Sequence, residues 1–147
     1  MTATPRATRR PAAGLVARRL ALLALFEGEF RPGSAESALE RIATERDVPD
    51  AVRAHASAIV SGVADHQADL DARIAKEAPL IPVAELGRVE RTILRSALFE
   101  VLYSAATPSG ETMRDAVSLA RIYAGDAARR LVNGVLGSVS RSPGGGA

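Results

Sequence analysis

Residues 86–100 read Leu86-Gly87-Arg88-Val89-Glu90-Arg91-Thr92-Ile93-Leu94-Arg95-Ser96-Ala97-Leu98-Phe99-Glu100. Apolar residues fall at Val89, Ile93-Leu94 and Ala97-Leu98, and the pattern continues to Val101-Leu102. Steps of three and four follow one face of an α-helix, whereas a strand would alternate. This face is broad and the most hydrophobic in the chain, so a helix over about Arg88–Ser104 is predicted at the centre of the fold. Arg95 falls between Leu94 and Ala97, close to the buried side. A buried guanidinium has to be paired, and Glu100, Glu90 or a helix C-terminal carbonyl is within sequence reach. A structural ion pair is the reading for Arg95, while Arg88 and Arg91 are left for solvent.

The same periodicity extends outward on both sides. Upstream, Val52, Ala56, Ile59-Val60, Val63, His66-Gln67, Leu70 and Ile74 predict one long helix from Pro49 to about Lys76. At ~1.5 Å per residue it spans roughly 40 Å, enough to cross a small domain. Before it, Leu15, Arg18-Arg19, Leu22, Leu25-Phe26 and Phe30 give a helix that Arg31-Pro32-Gly33-Ser34 stops. Ser34 is then a natural N-cap for a second helix over 35–46. Pro79 and Pro82 bracket a loop, with one short turn over 84–87. Downstream, Thr107-Pro108-Ser109-Gly110 reads as a turn, followed by a helix over about 111–124 and another from Gly125-Asp126 to about Ser140. Gly134 and Gly137 lie inside that last helix. Glycine there costs about 1 kcal/mol against alanine, so the pair predicts close approach of a neighbouring helix.

The expected fold is therefore all-α: a single compact domain of six to seven helices over 14–140. A flexible Arg-rich arm over 1–13 precedes it, and a disordered tail over 141–147 follows. No stretch approaches the roughly 20 apolar residues a membrane-spanning helix requires. The apolar run Leu20–Phe26 is seven residues long and is followed at once by Glu27, which argues against a signal peptide.

Composition removes several chemistries. The 147 residues include no cysteine, so thiolate catalysis, disulfides and cysteine-held metals are out. The two histidines, His55 and His66, are about three turns apart on one helix, roughly 16 Å, too far to share a metal. There is no P-loop, dinucleotide or zinc-protease motif, and no serine stands beside a histidine–carboxylate pair. No enzyme and no cofactor is expected.

The charge distribution points to binding instead. Residues 1–26 carry Arg6, Arg9, Arg10, Arg18 and Arg19 and no acid, a local charge of +5. Residues 27–147 carry 14 basic against 17 acidic residues, a charge of −3. A basic arm on a mildly acidic body reads as an extension for a polyanion. All the basic residues but Lys76 are arginine, whose planar fork grips phosphate and stacks on bases.

Four segments together resemble the NusB family of transcription antitermination factors. They are Ala17–Phe26; Ile59-Val60-Ser61-Gly62-Val63 with Leu70-Asp71; Leu86–Glu100; and Asp115–Tyr123 with Val132-Asn133-Gly134-Val135-Leu136. The resemblance covers about residues 14–140 and implies two packed helical bundles without catalysis. It further implies a partner, NusE, a small-subunit ribosomal protein, with which the family holds boxA RNA of ribosomal RNA operons. It implies docking on RNA polymerase with NusA and NusG, and hence a cytoplasmic setting. Carried over to this chain, the RNA contacts are Arg9, Arg10, Arg18 and Arg19, with Arg6 added from the arm's charge, and Tyr123 as a ring on which an unpaired base stacks. The chain departs from the family pattern at Leu23, Arg114 and Leu131, where Gln, Asn and Phe are usual. Other readings stay open: a helical protein-interaction module, an RNA-binding accessory domain like that of ribosomal RNA methyltransferases, and a homodimer.

Overall fold

A computed structural model describes residues 12–104 and 109–141. Six α-helices follow in order: α1 (Ala13–Phe30), α2 (Ala35–Glu45), α3 (Asp50–Glu77), α4 (Arg88–Tyr103), α5 (Ser109–Ala124) and α6 (Asp126–Arg141). Among the described residues one 3-10 turn, Val83–Glu85, sits in the loop before α4. No strand occurs among the described residues. The arm through residue 11 and the tail from residue 142 lie outside the described residues. Arg141, read as the first tail residue, is the last residue of α6.

Two bundles share α4. Helices α1, α2 and α3 pack together on one side, and α5 and α6 pair on the other. Helix α4 lies against α1, α3, α5 and α6, the central place its apolar face requires. Leu94 and Leu98 of α4 are fully buried with Leu20, Ile59, Leu70, Ile74, Val132 and Leu136. With few rings available, the core is built from aliphatic side chains and alanine, and the alanines let helices approach closely.

Helix boundaries follow local signals with three revisions. Ser34 occupies the N-cap position of α2, but its hydroxyl donates to the Arg31 carbonyl (2.6 Å) and caps nothing. Its backbone is already helical, so its oxygen does not face the free amides. Gly33, at φ +84°, takes the left-handed turn that lets the chain reverse before α2. Second, Ser109 and Gly110 belong to α5 rather than to a preceding turn. Helix first turns tolerate such residues because their amides have no intrahelical acceptor to lose.

The third revision concerns glycine packing. A β-carbon at Gly134 would meet nothing within 4 Å, and at Gly137 it would meet only the tip of Arg141. The close approach occurs instead at Gly62 on α3, where a β-carbon would fall inside the Phe99 ring of α4. Gly62→Ala is therefore expected to cost about 1–3 kcal/mol, since the ring must leave its place. Gly134→Ala is expected to stabilise by up to about 1 kcal/mol, through helix propensity alone. Thermal unfolding of the two variants checks both signs.

Candidate nucleic-acid interface

Arg18 and Arg19 follow one another on α1, about 100° apart around the helix axis, and meet different surroundings. Arg18 is 6% exposed. Its Nε donates to Glu100 Oε1 (2.9 Å) and its Nη2 to Glu100 Oε2 (3.0 Å), a two-pronged pair. Nη1 donates to Asp115 Oδ2 (2.7 Å) and, more loosely, to Glu111 Oε1 (3.3 Å). Nη2 also reaches the Thr112 hydroxyl (3.2 Å). This corrects the expectation that Arg18 extends the positive surface and touches RNA. A guanidinium so enclosed by carboxylates ties α1 to α4 and α5 and has no face left for phosphate.

Burial disfavours the charged form of both Arg18 and Glu100. For Arg18, the bonds and charge of Glu100 and Asp115 outweigh that cost and raise its pKa. For Glu100, bonds from His55 and Arg18 outweigh burial and hold the carboxyl below the ordinary glutamate value. His55 Nε2 lies 3.1 Å from Glu100 Oε2. An ionised carboxylate only accepts, so Nε2 carries a hydrogen and donates. The histidine thus completes a buried ionic array spanning α1, α3, α4 and α5.

Arg19 is half-buried and has no ion pair or hydrogen bond among the described residues. Arg6, Arg9 and Arg10 lie outside the described residues. Tyr123 is 40% exposed near the end of α5, beside the half-exposed Ile122. Arg18 reaches the other end of that helix, at Glu111 and Asp115. From Asp115 to Tyr123 is roughly 12 Å along the axis, so the arm root and the ring stand apart, with α5 between them.

Helix α5 supplies two charges that the sequence reading left unassigned. Arg114 and Arg121 are exposed and seven residues apart, two turns along nearly one face. Their spacing is visible in the sequence. Their exposure follows from the packing of α5, which turns Asp115 and Thr112 inward.

The other arginines are structural. Arg95 donates to Asp71 through Nε (2.7 Å) and Nη2 (2.9 Å), with Glu29 at 3.6 Å. The ion pair was expected, but its partners come from α3 and α1 rather than from α4 itself. Arg91 is held by Glu29 (3.0 and 2.8 Å) and is not the solvent-facing residue expected. Arg88 is exposed and lies over the Phe30 ring at 4.6 Å. His66 stacks on Tyr103, with centroids 4.0 Å apart.

A groove of about 510 Å³ opens between α1, α2, α3 and α4, floored by Leu25, Val60 and Val63. Of its charged lining residues, Arg95 is held by Asp71 and Glu29 by Arg91, Glu36 is the third, and the Thr92 hydroxyl donates to the Arg88 carbonyl. None of these groups is poised as nucleophile and base. Among the described residues no group of three or more His, Asp or Glu side chains is placed to hold a metal. No helix of the described residues is long and apolar enough to cross a membrane.

Comparison with known proteins agrees with this architecture. The NusB family model matches residues 15–141. The transcription antitermination protein NusB of Dehalococcoides mccartyi is 32% identical over 126 residues, covering 86% of this chain and 88% of that protein. The solved structure of T. maritima NusB superposes with a TM-score of 0.81 at 25% identity, covering 91% of this chain and 93% of its own. A crystal structure of the antitermination factors NusB and NusE in complex with double-stranded RNA contains a chain that superposes at 0.80, with 25% identity and coverage of 88% and 97%. The match runs through the six helices almost end to end, and on that basis the chain belongs to the NusB family.

Proposed function

We propose that this chain is an antitermination factor that binds boxA-type single-stranded RNA together with NusE and acts with NusA and NusG on RNA polymerase in the cytoplasm. The observation that carries the reading is the acid-free, arginine-rich segment through residue 26, which leads into a family fold whose related structure holds NusE and RNA. Neutralised phosphates release counterions, so the arm supplies affinity that falls with salt. Arg6, Arg9, Arg10 and Arg19 are the phosphate-contacting residues in this reading, Arg114 and Arg121 extend them along α5, and Tyr123 stacks on a base. Arg18 serves the site only by holding α1 in place. The role is binding, and no bond is made or broken.

A titration by electrophoretic mobility tests the reading, using a boxA-type strand, a scrambled strand and a duplex, each with and without NusE. Tightest binding to the boxA-type strand in the presence of NusE is expected. Equal binding to the scrambled strand would overturn the sequence-specific part of the reading, and preference for the duplex the single-strand part. Tyr123→Ala should weaken the boxA-type complex by about 1–3 kcal/mol if a base stacks there, and an unchanged affinity removes Tyr123 from the interface.

A further inference from the structure

Three rings lie along the seam of α3 and α4. Gly62 leaves room for the Phe99 ring against α3, and nearby His66 and Tyr103 stack at 4.0 Å, 18° from parallel. Phe99 stands 6.0 Å from both rings, in nearly the same orientation, and packs against the core. His66 covers one face of Tyr103, yet Tyr103 remains 45% exposed. The last turn of α4 therefore presents a half-open aromatic ring, braced by two others.

Charge decides what such a ring can take, since an aromatic face receives either an unpaired base or a cation. Asp69 follows His66 by three residues on α3, a neighbouring position on the helix surface, and Asp65 is one turn before Asp69. Both acids are exposed, and neither has an ion pair or hydrogen bond among the described residues. No Lys or Arg occurs from residue 54 to residue 72. Beyond that stretch Arg73 is buried, with its Nε on Glu77 (3.0 Å), and Arg95, the last basic residue of α4, is held by Asp71. This setting repels phosphate and attracts a positive group. Phe30 shows the same need met within the chain: that ring, 57% exposed, lies under Arg88 at 4.6 Å. Tyr103 has no such cation among the described residues. Tyr123 is placed differently, sharing α5 with the exposed Arg114 and Arg121.

We propose that the His66–Tyr103 stack, with Asp65 and Asp69, docks an arginine side chain from a basic segment of a partner protein. The guanidinium lies flat on the open part of Tyr103, and its N–H groups donate to the Asp69 carboxylate, with Asp65 adding attraction. Arginine suits the place better than lysine, because its plane stacks while its edge keeps donors for a carboxylate. This surface is distinct from the RNA-binding reading above and does not depend on it.

The test follows fluorescence anisotropy of a labelled Arg-Gly repeat peptide and of a Lys-Gly peptide of equal length and charge. The proteins are wild type, Tyr103→Ala, Tyr103→Phe, Asp69→Asn and Glu45→Gln, the last removing an exposed acid on α2. Wild type is expected to bind the Arg-Gly peptide more tightly than the Lys-Gly peptide. Tyr103→Ala should weaken the Arg-Gly complex roughly two- to fivefold, while Tyr103→Phe, which keeps the ring, stays near wild type. Asp69→Asn should weaken it by a similar factor at about 0.01 M salt and by less at about 0.15 M. Because Asp69 is exposed, its variant reports on binding even if Tyr103→Ala lowers the melting temperature. Glu45→Gln should match wild type. Absence of peptide binding by wild type, equal affinity for the two peptides, no loss in Tyr103→Ala, or an equal loss in Glu45→Gln would each overturn the inference. So would weaker binding of the boxA-type strand by Tyr103→Ala, which would assign the ring to RNA.

Discussion

Arg18→Ala should unfold the protein far more readily than any surface substitution. It leaves Glu100, 2% exposed, and Asp115, 8% exposed, without their cation. Removing one member of a buried pair typically costs about 3–5 kcal/mol, because the remaining charge is stranded. For a chain of this size that corresponds to a fall in melting temperature on the order of 10–20 °C. Circular dichroism melts check it. A loss below about 1 kcal/mol would mean that water reaches the array and that Arg18 is not a structural tie.

The pH dependence separates this account from a simple packing defect. In the wild type, the Glu100 carboxyl is held below its ordinary value despite burial, by His55 and Arg18. A group with a lowered folded-state pKa contributes stability above its unfolded pKa, near 4.3, and loses it as pH falls through the folded value. Wild-type stability should therefore decline on the acid side, and Glu100→Gln should flatten that decline while lowering stability at neutral pH. In Arg18→Ala the buried Glu100 loses the cation that opposes its desolvation, so the deficit should shrink as pH falls. A deficit that is the same at all pH values would point to lost packing alone.

The second large effect is on binding. Replacing Arg6, Arg9 and Arg10 together by alanine should weaken RNA binding on the order of tenfold or more at moderate salt. It should also reduce the slope of log affinity against log salt by about 2, since each phosphate contact to a single strand contributes ~0.7. Melting temperature should not move, because the tie of α1 to α4 and α5 is made by Arg18. An unchanged slope would assign the phosphate contacts to Arg19, Arg114 and Arg121. Arg18→Ala with Arg19→Ala cannot serve as the binding test, since the first substitution acts through the fold.

Helix positions were legible because each depends on neighbours three or four residues away. The long helix α3, the stop at Pro32-Gly33 and the break at Gly125 are all local events, and the apolar face of α4 announces a helix with contacts on several sides. The glycines were less legible. Gly62 and Gly134 look alike in sequence, both inside helices beside valine, and only the arrival of the Phe99 ring distinguishes them. The ion pairs were half legible. Arg95 had to be paired, but Asp71 is 24 residues away and Glu29 lies on another helix.

The same division runs through the interface. Composition and periodicity by themselves determined an all-helical chain with a positively charged leading segment, since both are properties of the chain before it folds. Whether a given arginine faces solvent was decided only by the packing of α1 on α4 and α5. Neighbouring residues turn about 100° on a helix, so Arg18 and Arg19, indistinguishable in the sequence, end in opposite roles. One neutralises carboxylates 82 and 97 residues further along, and the other stays half-buried with no ion pair among the described residues.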